Sequence, residues 1–333
     1  MNSLILQKQE EVIALAQFDI KDAVLKKCLL KEDETVITVP NGVTTIGKDA
    51  LCGLQSVIAV TLPESLKVIN DGAFYGCSSL TSVTLPGSVE RLGSCAFAQC
   101  SALNTIYLDN KLTEIGNSAF WGCTSLESID IPAGVTKIGY NLFGSCLSLI
   151  SVSLPDTVTE LDERAFKECT SLACITLPDS LIKIGNMAFL NCHNLKSVNI
   201  PDRLESIGEK AFFMCESLHE LEIPDGIASV GGDAFSDCVS VTVRSTISGK
   251  PLYKAVTATD GSSAYNFILR NIWDKGGFDF TAQDNYFPAL QDENLQYAIA
   301  FSRLMYRVNL SASAEEHYLD FLHNNAENAV RYC

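Results

Sequence analysis

The chain repeats itself every 23 residues, and the register does not slip over nine consecutive copies. The pairs Ala73-Phe74, Ala96-Phe97, Ala119-Phe120, Ala165-Phe166, Ala188-Phe189, Ala211-Phe212 and Ala234-Phe235 fall in one register, with Leu51 and Leu142-Phe143 in the two less regular slots. A fixed period of this length marks a solenoid, in which one structural unit stacks on copies of itself. Such a stack offers surfaces rather than a cleft.

One copy, Leu80 to Ala102, reads LTSVTLPGSVERLGSCAFAQCSA. Cysteine follows the phenylalanine slot by three residues, at Cys77, Cys100, Cys123, Cys146, Cys169, Cys192, Cys215 and Cys238. Further on come Leu80, Val83 and Leu85, and their counterparts Leu103, Ile106 and Leu108. This end of the repeat alternates with period two, the signature of a short strand with one buried face. Proline then stops it, because it has no N–H for a ladder; Asp109 is the exception. A second short strand follows around Val89 and Leu92. Next comes glycine, as at Gly93 and Gly116, replaced by Asn70 and Asp162. All three residue types suit a turn in the left-handed region. The AF-x-x-C stretch reads as one short helical turn. Coils stacking at roughly 4.8 Å give a rod of roughly 40 Å.

LTSVTLPGSVERLGSCAFAQC and its copies, with IPAGVTKIG and LPDSLIKIG, resemble the BspA-like branch of bacterial leucine-rich repeats. The resemblance spans about residues 36 to 243. It implies a leucine-rich repeat solenoid, right-handed, of short parallel strands and short helical turns. Proteins with this repeat are mostly surface or interaction proteins, so it implies a binding scaffold and leaves the partner open.

Of the 333 residues, 40 are acidic and 24 basic, a formal charge of −16. That disfavours nucleic acid and anionic membranes, which select basic surfaces. The slot cysteines sit inside an apolar pattern and read as a buried column of free thiols. Their side chains point the same way, a poor geometry for disulfides. Cys28, Cys52, Cys95, Cys174 and Cys333 fall outside the slot and are the ones to test for reactivity. The N-terminus carries Glu10 and Glu11 where a signal peptide would be apolar, and no run approaches a membrane span. The sequence as it stands favours the cytoplasm. A leader upstream in the natural gene would favour the cell surface.

Three parts are expected: an N-terminal helix and capping coil over 1–39, the solenoid over 40–244, and a small α-helical C-terminal domain over 245–333. Residues 3–17 read as an amphipathic helix, and Phe18 to Gly47 as an irregular hairpin-like first coil. The repeat fades after Val243, where Arg244 takes an apolar slot. Helices are expected over 262–273, 293–308 and from Ser313, whose spacing to Glu316 suits a capping box. FDFTAQDNYFPAL and LQYAIAFSRLMYRVNL resemble the helical tails of some BspA-like proteins.

Two surfaces are candidates for binding. The strand face carries Tyr107, Glu127, Asp130, Lys196, Asn199, His219, Glu220 and Glu222. It is either a solvated face or a platform for a protein or glycan. The residue after each phenylalanine slot includes Tyr75, Trp121 and Phe213, which either mark a contact edge or pack on neighbouring turns. Cys192, His193, Cys215 and His219 lie in adjacent coils, but in different slots, so no metal or other cofactor is expected. His317 and His323 do not share a helix face. G-x-S-x-G, H-E-x-x-H and a phosphate loop are all absent. Glu127 and Asp130 stand on a flat face, without the burial that shifts a carboxylate. The chain is therefore expected to be a non-catalytic scaffold for a macromolecular partner, with an adhesin of host protein or glycan as the alternative. Oligomeric state is open.

Overall fold

The computed structural model describes residues 16–30 and 34–218, with 221–222, 227, 229–235, 238, 243–244 and 257–258 beyond them. The chain opens with a hairpin, β1 (Gln17–Lys21) and β2 (Val24–Leu29), and then coils. Each coil lays one short strand in each of two rows. Row one holds β3 (Val36–Thr38), β5 (Ala59–Thr61), β7 (Ser82–Thr84), β9 (Thr105–Tyr107), β11 (Ser128–Asp130), β13 (Ser151–Ser153), β15 (Cys174–Ile175), β17 (Ser197–Val198), β19 (Leu221–Glu222) and β21 (Val243–Arg244). Row two holds β4 (Thr45–Ile46), β6 (Val68–Ile69), β8 (Arg91–Leu92), β10 (Glu114–Ile115), β12 (Lys137–Ile138), β14 (Glu160–Leu161), β16 (Lys183–Ile184), β18 (Ser206–Ile207), β20 (Ser229–Val230) and β22 (Thr257–Ala258). Most neighbouring strands within a row pair in parallel, one period apart, as Val83 with Ile106 and Thr84 with Tyr107, and the ladder lapses between β9 and β11, β13 and β15, β17 and β19, and β10 and β12. In β7, β9, β11 and β13 the middle residue is buried and its two neighbours are exposed. That is the alternation expected of a pleated strand with one core face.

The turn segment closes each coil with a third set of inter-coil bonds. The N–H groups of Gly72, Phe74 and Gly76 donate forward to the carbonyls of Ser94, Ala96 and Ala98, each at 2.8 Å. Between them, Ala73, Tyr75 and Cys77 donate to residues three back in their own coil. So the short helical turn is present only at alternate residues. Row two donates the other way: Glu90 and Gly93 bond back to the carbonyls of Lys67 and Ile69. The alternation puts one residue before each Ala-Phe pair into the left-handed region, including Cys95 (φ 54), Arg164 (φ 60), Met187 (φ 56) and Lys210 (φ 53).

Here the structure corrects the glycine argument. Gly93 and Gly116 are not at positive φ. A Cβ on Gly93 would lie 2.4 Å from the Asp71 nitrogen, and one on Gly116 would lie 2.3 Å from the Ser94 nitrogen. Glycine is required there because the preceding coil's backbone comes too close for a side chain. Asp109 replaces proline without loss of the turn. Its carbonyl accepts from Leu112 at 3.0 Å, as Pro86 does from Val89, and its carboxylate accepts from the Lys111 N–H at 3.1 Å.

Alongside the buried aliphatic positions of both strand rows, such as Leu80, Val83 and Leu92, the core holds two further columns. Phe74, Phe97, Phe120, Phe143, Phe166, Phe189, Phe212 and Phe235 are buried, with successive ring centroids 4.9–5.9 Å apart and planes within 14°. Beside them run the slot cysteines, all free thiols. Each donates to the carbonyl of the residue in the preceding coil's ring slot: Cys77 to Leu51 at 3.1 Å, Cys100 to Phe74 at 3.1 Å, Cys123 to Phe97 at 3.2 Å, Cys146 to Phe120 at 3.2 Å. A methyl group of similar size would fill the space but leave that bond unmade.

The first coil is the hairpin expected. Asp22 and Ala23 both take positive φ, the signature of the turn type that suits hairpin twist. β2 pairs in parallel with β4, joining the hairpin to row two. β1, the outer strand, carries a register shift between Asp19 and Ile20 and is mostly exposed, devices that discourage further pairing. Gln17, read as the end of a helix, lies in β1; residues 1–15 lie outside the described residues. At the far end, Val243 stands opposite Leu221 and Arg244 opposite Glu222. That last coil is one residue short, so an apolar residue keeps the apolar place that the count assigns to Arg244. β22 then pairs with β20, past the point where the repeat fades. The helices expected after Ser245 lie outside the described residues.

Candidate binding faces

Row one presents its outward residues to solvent. Tyr107 is 72% exposed, the most open of the large apolar side chains among the described residues, and Ile150 is 54% exposed. Glu127, Asp130 and Lys196 are exposed, and among the described residues none makes an ion pair. Asn199 is different. Its side-chain oxygen accepts from the Leu177 N–H at 2.7 Å and its Nδ2 donates to the Leu177 carbonyl at 2.8 Å. It takes over the bond that a backbone carbonyl makes elsewhere, as Ser153 does to Ile131 at 2.9 Å. Its amide is thereby committed to the preceding coil. His219, Glu220 and the Glu222 side chain lie outside the described residues.

Row two has no counterpart among the candidates picked from the sequence, yet it carries the denser charge. Arg91 and Glu114 occupy the same place in successive coils, as do Lys137, Glu160 and Lys183. Arg91 meets Glu114 at 3.1 Å, and Lys137 meets Glu160 at 3.4 Å and Asp162 at 3.0 Å. Despite partial burial, the Asp162 carboxyl is held below its ordinary value by Lys137 and the Glu163 N–H. The signal was present in the sequence as alternating sign at a spacing of one period.

On the turn edge, Tyr75 is exposed while Trp121 and Phe213 are half-buried. Nearby, Arg164 donates to the Tyr140 hydroxyl at 2.6 Å and lies 5.7 Å from its ring centre. The three aromatics stand two or more coils apart and do not form one patch.

The cysteines outside the slot divide by burial. Cys28 is buried, and its N–H bonds to Ala50 just as Leu51 bonds to Ala73. It therefore fills the ring place of the first coil, and burial, with Glu34 and Cys77 adding, pushes its thiol up to about 11. That removes it from the reactive set, since the thiolate is the nucleophile. Cys52 and Cys174 are exposed and Cys95 is half-buried. Cys333 lies outside the described residues. Cys192 and Cys215 donate to Phe166 and Phe189, and His193 faces Glu216 at 3.7 Å. Among the described residues no group of three or more metal-ligating side chains converges, and no helix is long and apolar enough to cross a membrane.

The family model for the BspA type leucine rich repeat region matches residues 19–150 and 136–250, with 6 copies. No curated protein matches the chain. Among solved structures, a leucine rich cell surface protein from Faecalibacterium prausnitzii is similar at 23% identity, over 73% of this chain and 96% of that one, with a TM-score of 0.43. The T. pallidum leucine rich repeat protein is similar at 30% identity, over 61% of this chain and 88% of its own, with a TM-score of 0.47. A leucine-rich repeat protein from Bacteroides ovatus is similar at 22% identity, over 75% and 90%, with a TM-score of 0.44. With the family match spanning most of its length and the coils stacked in register, the chain belongs to the BspA-type leucine-rich repeat family.

Proposed function

We propose that this chain is a non-catalytic scaffold that engages a macromolecular partner through row one. The carrying observation is the contrast in charge pairing. Glu127, Asp130 and Lys196 make no ion pair among the described residues, while Arg91, Glu114, Lys137 and Glu160 are paired within the stack. Paired charges gain little from meeting a partner, because they must give up one contact for another. Open charges around an exposed tyrosine have no such competition. The test is recovery of bound protein by the whole chain and by Tyr107→Ala and Glu127→Lys chains. Loss of the partner by these two supports row one. Retention by them, with loss by Tyr75→Ala or Trp121→Ala, moves the site to the turn edge.

The alternative, a cell-surface adhesin, would use the same face. The free thiols at buried and exposed places favour a reducing compartment. Labelling of intact cells distinguishes the two: modification of Cys52 or Cys174 by an impermeant thiol reagent would place the protein outside.

A further inference from the structure

We infer that the partner of row one presents a basic segment, rich in lysine or arginine, to the middle coils; this rests on the row-one reading above. Three observations converge there. The open charge of the middle coils is mainly acidic: Glu127 and Asp130 on the strand face, Asp156 and Asp179 on the adjoining turns, all exposed. Tyr107, one period before Asp130, stands 72% exposed beside them. And none of these four carboxylates has a cation within ion-pair distance among the described residues.

The chemistry follows from that placement. Asp156 and Asp179, one coil apart, lie roughly 5 Å from one another and repel, and Glu127 and Asp130 in a single coil add to the same negative field, with no ion-pairing cation among the described residues. An arriving ammonium or guanidinium relieves that repulsion. It also finds an open aromatic face for a cation–π contact. Row two cannot do this, because its carboxylates already hold Arg91 and Lys137. Recognition is thereby confined to one face, even though the whole chain is acidic at −16.

The experiment is selection of displayed random peptides on the intact chain, followed by binding of the enriched peptides to three variants. The first is E127K/D130K. The second, E90K/E205K, makes the same charge change at exposed positions flanking row two. The third is Y107A. The expected result is enrichment in lysine and arginine, with about a tenfold or greater loss for E127K/D130K and a smaller loss for E90K/E205K. Equal losses for the two double variants would overturn the inference, because total charge alone would then explain binding. Enriched peptides that are neutral or acidic but still lost on Y107A would overturn it while leaving row one as the binding face. Peptides insensitive to E127K/D130K and Y107A alike would overturn both. Circular dichroism and thermal melting of each variant confirm that the fold persists.

Discussion

Rows one and two run along the same coils and rest on the same rings, yet they treat charge in opposite ways. In row two the sign alternates from Arg91 through Glu114, Lys137 and Glu160 to Lys183, and closes as ion pairs at Arg91–Glu114 and Lys137–Glu160, while Lys183 stands opposite Ser206. In row one most outward places hold serine or threonine, and the few charges stand unanswered. Stacking explains why the choice is so visible. A given place recurs roughly every 4.8 Å, so a repeated sign accumulates repulsion and an alternating sign builds a ladder. A solenoid therefore declares, row by row, whether a side chain works for the stack or for something outside it.

The largest test removes what the rows share. Phe120→Ala should lower stability by about 3–5 kcal/mol in urea unfolding, since the ring is fully buried between Phe97 and Phe143. A loss below about 1 kcal/mol would mean the two rows do not depend on one column. Next is the thiol column. Cys123→Ala should cost about 1–2 kcal/mol, from lost packing and an unmade bond to the Phe97 carbonyl. In the folded protein Cys123 should resist alkylation even in alkaline buffer, because burial pushes its thiol up to about 12. Rapid labelling in the native state would place it at the surface.

The comparison itself is sharpened by a matched pair. Lys137→Glu should cost about 1 kcal/mol, less at high salt, because it breaks two half-buried pairs and sets like charges together. Asp130→Lys should stay within about 0.5 kcal/mol, having no pair to break. Equal effects on melting would erase the distinction between the rows. The smallest expected effect concerns pH. The Ser145 hydroxyl, 2.7 Å from Glu168, and then Lys167 hold the Glu168 carboxyl below its ordinary value of 4.5. A lowered folded value means a contribution that is present above pH 4.5 and lost as pH falls through the lower value. Ser145→Ala should flatten that part of the acid melting curve slightly; an unchanged curve would show that the hydroxyl does not stabilise the carboxylate.

What was legible in the sequence is what repeats. Phe120 and Cys123 could be placed in buried columns from spacing alone, and the strands around Val83 and Ile106 followed from alternation. What was not legible depends on the neighbouring coil. Gly93 gave no sign that Asp71 would sit against it, and so its role was assigned to φ. Asn199 looked like any exposed polar residue, since nothing local shows that its amide replaces a backbone carbonyl. Arg91 and Glu114 were legible as a sign alternation, but the pairing needs the coils to be in register, which the strand rows supply. For Tyr107 and Asp130 exposure followed from the pleat, whereas Glu127 lies just before β11 and shares the parity of the buried Ile129. Their lack of partners did not follow from it, because that depends on every neighbouring side chain.

The opposed directions of the N–H groups have a consequence for length. In an α-helix all peptide dipoles point one way, and their sum leaves partial charge at both ends. Here the turn segments donate toward the end of the stack, at Phe74 to Ala96, while row two donates toward its start, at Gly93 to Ile69. The two contributions oppose each other along the axis. Each added coil therefore adds less charge at the tips than the same number of aligned peptides would add to an α-helix, so the stack lengthens with less end-to-end polarisation.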